Sequence, residues 1–259
     1  MFKTRRKLLS QNFLGNKALI SRLINGSGIL WNDTVLEIGA GSGIITEGLL
    51  SVSRKVIALE IDKALSAQIG SRFGNNNALE IVCGNFLDFD LPKEPYKVFS
   101  NIPFSITGEI VKRLLFSDNP PNICNLIVQK EAAEKFMVSQ GKKSMLSILF
   151  YPWFEMKISH IFKRTDFKPI PSVNLCLLQI VKRSTPLVPA QDVNKFRDYV
   201  VYKYTKCRSV GEWPAVQWVN SYTKNARCRG SFAKWQSEQE KLVKIHRTRT
   251  DRNWRKKIF

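Results

Sequence analysis

The sequence is poor in the residues that build metal sites and disulfide frameworks. Its 259 residues hold five cysteines and two histidines. No two cysteines form a Cys-x-x-Cys pair, and only His160 and His246 could join them, so a zinc or other metal site is not expected. An odd, scattered cysteine set reads as reduced thiols in a cytoplasmic protein. Cys83, Cys124 and Cys176 lie in or beside apolar runs and are expected in the core. Long apolar runs are missing as well. The longest, around Met145 to Phe154, is too short for a membrane span, and no apolar signal core follows the basic N-terminus. There is no internal repeat and no low-complexity segment. Acidic residues are scarce: 21, against 41 Lys and Arg, a net charge of +20.

A field of that sign attracts polyanions and says little about fold. The excess is uneven. From Lys182 to Phe259 there are 19 basic and 6 acidic residues, a net +13, and the first 181 residues carry the remaining +7. A basic C-terminal part points to nucleic acid, or to a solvated helical surface. Residues 1–11, with Lys3, Arg5, Arg6 and Lys7, read as a basic arm able to reach phosphates or as a solvated terminus. The character of the chain changes near Pro186–Pro189. The expected division is a domain over 1–185 and a basic, helical, RNA-binding domain over 186–259.

The first domain reads as strands alternating with helices, which argues for an α/β fold with a parallel sheet covered on both faces. A helical pattern (Leu19, Ile20, Leu23, Ile24) ends at Gly26. The buried strand Thr34 to Ile38 runs into Gly39-Ala40-Gly41-Ser42-Gly43 and a helix over 44–50. Alternate glycines in a strand-to-helix turn let the backbone approach a ligand and present free N–H groups. No Gly-Lys-Ser/Thr follows them, which excludes a triphosphate P-loop. The second strand ends at Glu60, 17 positions beyond Gly43, where an acid binds a ribose diol. Asp62 reads as the cap of the next helix. The third strand leads into Gly84-Asn85-Phe86. There Asn85 is either a turn residue or a partner for an adenine edge, with Phe86 packed on the ring.

The fourth strand leads into Ser100-Asn101-Ile102-Pro103-Phe104. Ligands bind at the carboxyl edge of such strands. Pro103 stiffens the turn, Asn101 offers a carbonyl oxygen and an amide NH₂, and Phe104 offers a flat π face. An amide acceptor beside a stacking ring suits a planar base with an exocyclic amine. A satisfied turn with a core Phe fits the tetrapeptide equally well on its own. A fifth strand (123–129) and a helix (130–138) follow. Later strands are expected at 153–161 and 175–181, flanking a rigid loop that contains Phe167-Lys168-Pro169-Ile170-Pro171.

Taken together, Gln11-Asn12-Phe13-Leu14, Glu37-Ile38-Gly39-Ala40-Gly41-Ser42-Gly43, Glu60-Ile61-Asp62, Asn101-Ile102-Pro103-Phe104 and Phe167-Lys168-Pro169-Ile170-Pro171 resemble the ribosomal RNA adenine dimethyltransferases in order and spacing. The resemblance covers about residues 8–183. It is nearer to the erythromycin-resistance (Erm) branch, acting on 23S rRNA, than to the KsgA-type branch, acting on small-subunit rRNA in ribosome biogenesis. It implies a Rossmann-like class I methyltransferase sheet and S-adenosyl-L-methionine as cofactor. It also implies an rRNA substrate, N6-methylation or dimethylation of an adenine, and macrolide-lincosamide-streptogramin B resistance. Asn12, the Leu14 backbone, Gly39, Gly41, Glu60, Asn85 and Asn101 would contact the cofactor. Asn101 and the Ile102 carbonyl would hold the target amine. Phe104 and Phe167 would be the two aromatic walls. Asn85 stands where the family usually has Asp, and Phe104 where many members have Tyr. Lys163, Arg164 and Lys168 are first candidates for RNA contact, and a monomer is expected.

Overall fold

A computed structural model describes residues 13–138, 144–206 and 213–225. Its strands are β1 (Phe13–Leu14), β2 (Thr34–Ile38), β3 (Lys55–Glu60), β4 (Leu79–Cys83), β5 (Lys97–Asn101), β6 (Ile123–Gln129), β7 (Phe154–Ile161), β8 (Phe167–Lys168) and β9 (Leu175–Lys182). Its α-helices are α1 (Lys17–Asn25), α2 (Ile44–Leu50), α3 (Lys63–Phe73), α4 (Thr107–Leu115), α5 (Lys130–Phe136), α6 (Met145–Phe150), α7 (Val193–Lys206) and α8 (Ala215–Asn225). Local chemistry sets several boundaries. The Asn16 side chain caps α1 by accepting from Leu19 N at 3.0 Å. Asp62 caps α3 by accepting from Ala64 N and Leu65 N at 2.8 and 3.3 Å. These acceptors satisfy N–H groups that have no partner within the helix. Leu19, Ile20, Leu23 and Ile24 form the buried face of α1.

The contacts divide the chain into two compact units, 1–139 with 154–184, and 140–153 with 185–259. The first contains a seven-stranded sheet in the order β4-β3-β2-β5-β6-β9-β7. The first five strands are mutually parallel, and β9 and β7 add antiparallel partners. The parallel sheet expected from the alternating strands is present in β2 to β6, and the two later strands make the whole sheet mixed. Val35, Leu36, Val56, Ala58, Val98, Leu126, Ile127 and Val128 are essentially inaccessible, as central strands covered on both faces require. At the amino end of β5, Lys97 is buried and tied to Asp33 (2.6 Å) and to the Gly28 carbonyl (2.7 Å). Asn125 and Gln179 both donate to the Ser27 carbonyl, so these two buried amides are satisfied.

The order of strands puts a switch point between β2 and β5. From β2 the chain runs outward through β3 and β4, then returns to β5 on the other side. The β2–β5 ladder covers only Val35/Lys97 and Leu36/Val98. Each strand stays paired with its other neighbour farther on, β2 with β3 as far as Ile38/Leu59 and β5 with β6 as far as Asn101/Ile127. The carboxyl ends of β2 and β5 thus part, and a crevice opens between them.

Two expectations change. Cys124 and Cys176 are buried, but Cys83 is exposed, because it ends the edge strand β4. The apolar stretch from Met145 is the helix α6, and residues 140–153 cluster with the C-terminal unit and not with the 1–185 domain that was expected to hold them. In that second unit the Trp153 and Phe196 rings meet edge to face at 5.5 Å, and Phe196 and Tyr222 do so at 5.3 Å. Of the expected 186–259 domain, two helices (α7, α8) fall among the described residues. The 1–11 arm lies outside them. No helix among the described residues is long and apolar enough to cross a membrane, and they contain no cluster of three potential metal ligands.

Candidate active site

A cleft opens at the carboxyl edge of the sheet, lined by Phe13, Leu14, residues 39–42, Ile44, Ile45, Glu60, Ile61 and residues 101–104. The glycine turn forms its floor. Gly39, Gly41 and Gly43 have φ of +74°, +58° and +76°, a left-handed geometry that L side chains resist. Gly41 has a second constraint: a Cβ there would come within 2.9 Å of Phe13 Cε1. The turn faces Asn101, since a Cβ on Gly39 would lie 3.9 Å from the Asn101 carbonyl and 3.8 Å from Pro103 Cδ.

Glu60 closes the far end of the turn. It is buried, with Oε2 accepting from Gly41 N at 2.8 Å and Oε1 accepting from Asp62 N at 2.9 Å. Each carboxylate oxygen keeps a further lone pair, so the group can hold hydroxyls while it fixes the turn. Beside it, Ile61 is 53% exposed and offers an apolar surface to a planar ring. Beneath the turn, Glu37 is buried and accepts from Thr46 Oγ1 at 2.6 Å. Burial, opposed by the Thr46 bond and reinforced by the charge of Glu60, pushes its pKa up to about 8. Burial thus favours its neutral form, which limits the buildup of buried negative charge beside Glu60.

Leu14, Gly39, Gly41, Glu60, Asn101, Ile102 and Phe104 all border this cleft. Four other expected residues stand differently. Asn12 lies outside the described residues. Asn85 is not among the lining residues; its Oδ1 accepts from Leu87 N at 3.1 Å and its Nδ2 donates to Asp88 at 2.9 Å, capping a short 3₁₀ turn. Phe86 is buried, with the Arg113 guanidinium over its ring at 5.9 Å, and does not face the cleft. Phe167 is fully buried in the apolar core, edge to face with Phe162 at 5.2 Å, so it is not the exposed wall expected of it. Sequence reasoning gave no role to the Phe13 side chain, to Ile61 or to Ser100. Strand alternation at Phe13-Leu14 carries a signal for the first, because a core-facing Leu14 turns its neighbour outward. No sequence signal marks the Ser100 hydroxyl.

A glycine turn, a buried acid and an Asn-Ile-Pro-Phe turn, gathered at the switch point of this sheet, define a Rossmann-like class I methyltransferase. The crystal structure of the 23S rRNA methyltransferase ErmE superposes with a TM-score of 0.70 at 27% identity, over 76% of this chain and 81% of that one. The family model for ribosomal RNA adenine dimethylase matches residues 1–210, and the chain belongs to that family. The mycinamicin-resistance protein MyrB of Micromonospora griseorubida is 32% identical over 197 residues, covering 76% of this chain and 62% of its own. The ribosomal RNA small subunit methyltransferase A of Thermotoga petrophila is 33% identical over 206 residues, covering 78% and 76%. The chain spans 61–67% of the length of several other rRNA methyltransferases.

Proposed function

We propose that this chain transfers methyl groups to N6 of an adenine in 23S rRNA, in one or two rounds, and so confers resistance to macrolide, lincosamide and streptogramin B antibiotics. The observation that carries the reading is the placement of Asn101 at the carboxyl end of β5, on the same cleft as the glycine turn and Glu60. Likeness to the 23S rRNA methyltransferase ErmE supports 23S rRNA as the target, and likeness to the mycinamicin-resistance protein supports the resistance reading.

The cleft suits S-adenosyl-L-methionine, which supplies an electrophilic methyl group when bound. The Glu60 oxygens would take the ribose hydroxyls, Ile61 would lie against the adenine, and Leu14, Gly39 and Gly41 would border the methionine end. An N6 amine is a poor nucleophile because its lone pair is delocalised into the ring. The Asn101 side-chain oxygen and the Ile102 carbonyl would accept its two hydrogens, favour a tetrahedral nitrogen and aim the lone pair. Phe104 would stack on the flipped base. No side-chain base is required, because the alkylated ammonium is acidic and loses its proton to water. The rate then comes from positioning and electrostatics.

The net charge of +20 supplies the affinity for RNA phosphates, and Lys163, Arg164 and Lys168 are all exposed. The test is methyl transfer by wild type and Asn101→Ala to a 23S transcript and to immature small subunits. Asn101→Ala should lose at least about 100-fold in turnover, with cofactor affinity changed far less. Near-normal turnover sinks the role of Asn101. Transfer to small subunits alone moves the enzyme to ribosome biogenesis and removes the resistance reading.

A further inference from the structure

We infer that Trp31 is a stacking platform for an unpaired base of the RNA substrate, at a contact remote from the methyl-transfer cleft; this rests on the rRNA-methylation reading above. Trp31 is 80% exposed, and its neighbour Leu30 is 58% exposed. They lie in the loop between α1 and β2, at the amino edge of the sheet. The five residues of β2 separate them from the glycine turn, about 17 Å of strand. A single apolar side chain on a surface is ordinary. What sets this one apart is the turn that holds it. Asp33 N donates to the Leu30 carbonyl at 3.0 Å, which makes Trp31 and Asn32 the two central residues of a β-turn. Asp33 Oδ2 accepts from Leu30 N and from Lys97 Nζ, both at 2.6 Å. The Asp33 carbonyl accepts from Arg54 N and Lys55 N at 3.1 and 3.2 Å. Lys97 Nζ also donates to the Gly28 carbonyl at 2.7 Å and so ties down the start of the loop. The indole is thus carried, mostly open to solvent, on a firmly tied tip, so binding there orders little backbone.

The charges around the tip favour RNA over other occupants. Three acids of this edge are already held in ion pairs: Asp33 with Lys97, Glu80 with Lys55 and Glu155 with Arg183. Ahead of β5, Lys93 and Glu94 balance each other. Arg54 and Lys182 are exposed and pair with no carboxylate among the described residues. Arg54 stands on one side of the turn, directly before β3, with its guanidinium donating to Thr34 Oγ1 at 3.3 Å. Lys182 ends β9, three strands away from β2 on the other side. An open π face between cations suits unpaired nucleotides, whose bases stack on the ring while their phosphates meet the cations. The Asn32 amide beside the indole can add a hydrogen bond to a base edge. A second copy of the chain would bring a further net charge of +20 against the first. A membrane contact would need a broader apolar face than the adjacent pair Leu30 and Trp31.

The experiment compares wild type with Trp31→Phe, Trp31→Leu, Trp31→Ala and Arg54→Ala. It measures Kd for the rRNA transcript that the wild type methylates, over a range of salt concentrations. Turnover at saturating RNA, S-adenosylmethionine affinity, melting temperature and binding to phosphatidylglycerol vesicles are measured beside it. Trp31→Ala should weaken RNA binding about fivefold or more. Trp31→Phe keeps a stacking face and should stay within about threefold of wild type. Trp31→Leu keeps apolar area without that face and should bind like Trp31→Ala. Arg54→Ala should lower the slope of log Kd against log salt by about one. Saturated turnover, cofactor affinity and melting temperature should hold in the Trp31 variants, since the side chain is exposed and lies outside the cleft. A loss of less than about fivefold in Trp31→Ala overturns the inference. So does a Leu variant that binds as well as Phe, which would mark a plain apolar contact, or an unchanged salt slope in Arg54→Ala. Vesicle binding that Trp31→Ala abolishes while RNA binding stays would overturn it in favour of a membrane surface. A wild type that neither binds nor methylates rRNA overturns the underlying reading as well, whereas an active wild type with a fully binding Trp31→Ala overturns the inference alone.

Discussion

The Ser100 hydroxyl donates to the Ile38 carbonyl and accepts from the Ile38 N–H at 3.1 Å. The two residues stand opposite each other, two positions beyond the last β2–β5 ladder pair, Leu36/Val98. One side chain thus takes the place of the missing backbone bonds where the strands part, directly beneath Gly39 and Asn101. Ser100 is fully buried, so nothing else can serve Ile38 if the hydroxyl is removed.

Ser100→Ala should cost about 1–3 kcal/mol, the penalty for leaving buried backbone groups without partners. It should also loosen the spacing between the glycine turn and Asn101. The expected outcome is a lower melting temperature and roughly a tenfold loss in kcat, with cofactor affinity changed less. Thermal melts and single-turnover methyl transfer check both. An equal loss in affinity and kcat would argue for global loosening instead of a change in spacing.

Gly41→Ala places a methyl group at φ +58° and within 2.9 Å of the Phe13 ring. A non-glycine residue in that region costs on the order of 1–3 kcal/mol in strained settings, and the ring must move besides. Cofactor affinity should fall by about tenfold or more. Gly84→Ala, where a Cβ meets nothing within 4 Å, is the matched control and should bind normally. Calorimetric titration of the two variants decides the matter; equal affinities would mean that the turn tolerates a side chain at Gly41.

Glu37 contributes a pH-dependent share of the stability. Its folded pKa of about 8 lies above the ordinary 4.5. Between those values the folded chain keeps a proton that the unfolded chain has released. The stabilising contribution is complete below about pH 4.5 and is lost as pH rises through about 8, with a limit of about 1.4 kcal/mol per pH unit. Glu37→Gln is permanently neutral and its amide oxygen can still accept from Thr46. Its melting temperature should decline less than that of wild type between pH 5 and 8. Parallel curves would show that Glu37 is already ionised in the fold.

The placement of the glycine turn, Glu60 and Asn101 on one cleft is legible in the sequence because it follows from backbone position. A turn after the first long strand, an acid at the end of the next and an amide at the end of the fourth must meet at one edge of a parallel sheet. Phe167 was misplaced for the opposite reason. An aromatic residue beside prolines says that a ring is present, and the pairing of Leu14 with Phe167 decides which way it faces. At Asn85 an amide suits both a base and a cap, and here the local turn takes its oxygen. Cys83 was placed in the core on the strength of its apolar neighbours, which cannot show that β4 is an edge strand. The insertion of β9 between β6 and β7 was not legible either, since it depends on pairings made some fifty residues apart in the chain.

The second unit is assembled from two separate segments of the chain, 140–153 and 185–259, with two strands of the sheet between them. Recombination that exchanges C-terminal modules between related genes usually needs a single junction. Here one crossover near residue 185 would pair α7 and α8 of one parent with α6 and Trp153 of the other, splitting the Trp153–Phe196 contact between lineages. Such chimeras inherit a core whose two halves come from different parents, so α6 with Trp153 and the C-terminal segment are best exchanged together.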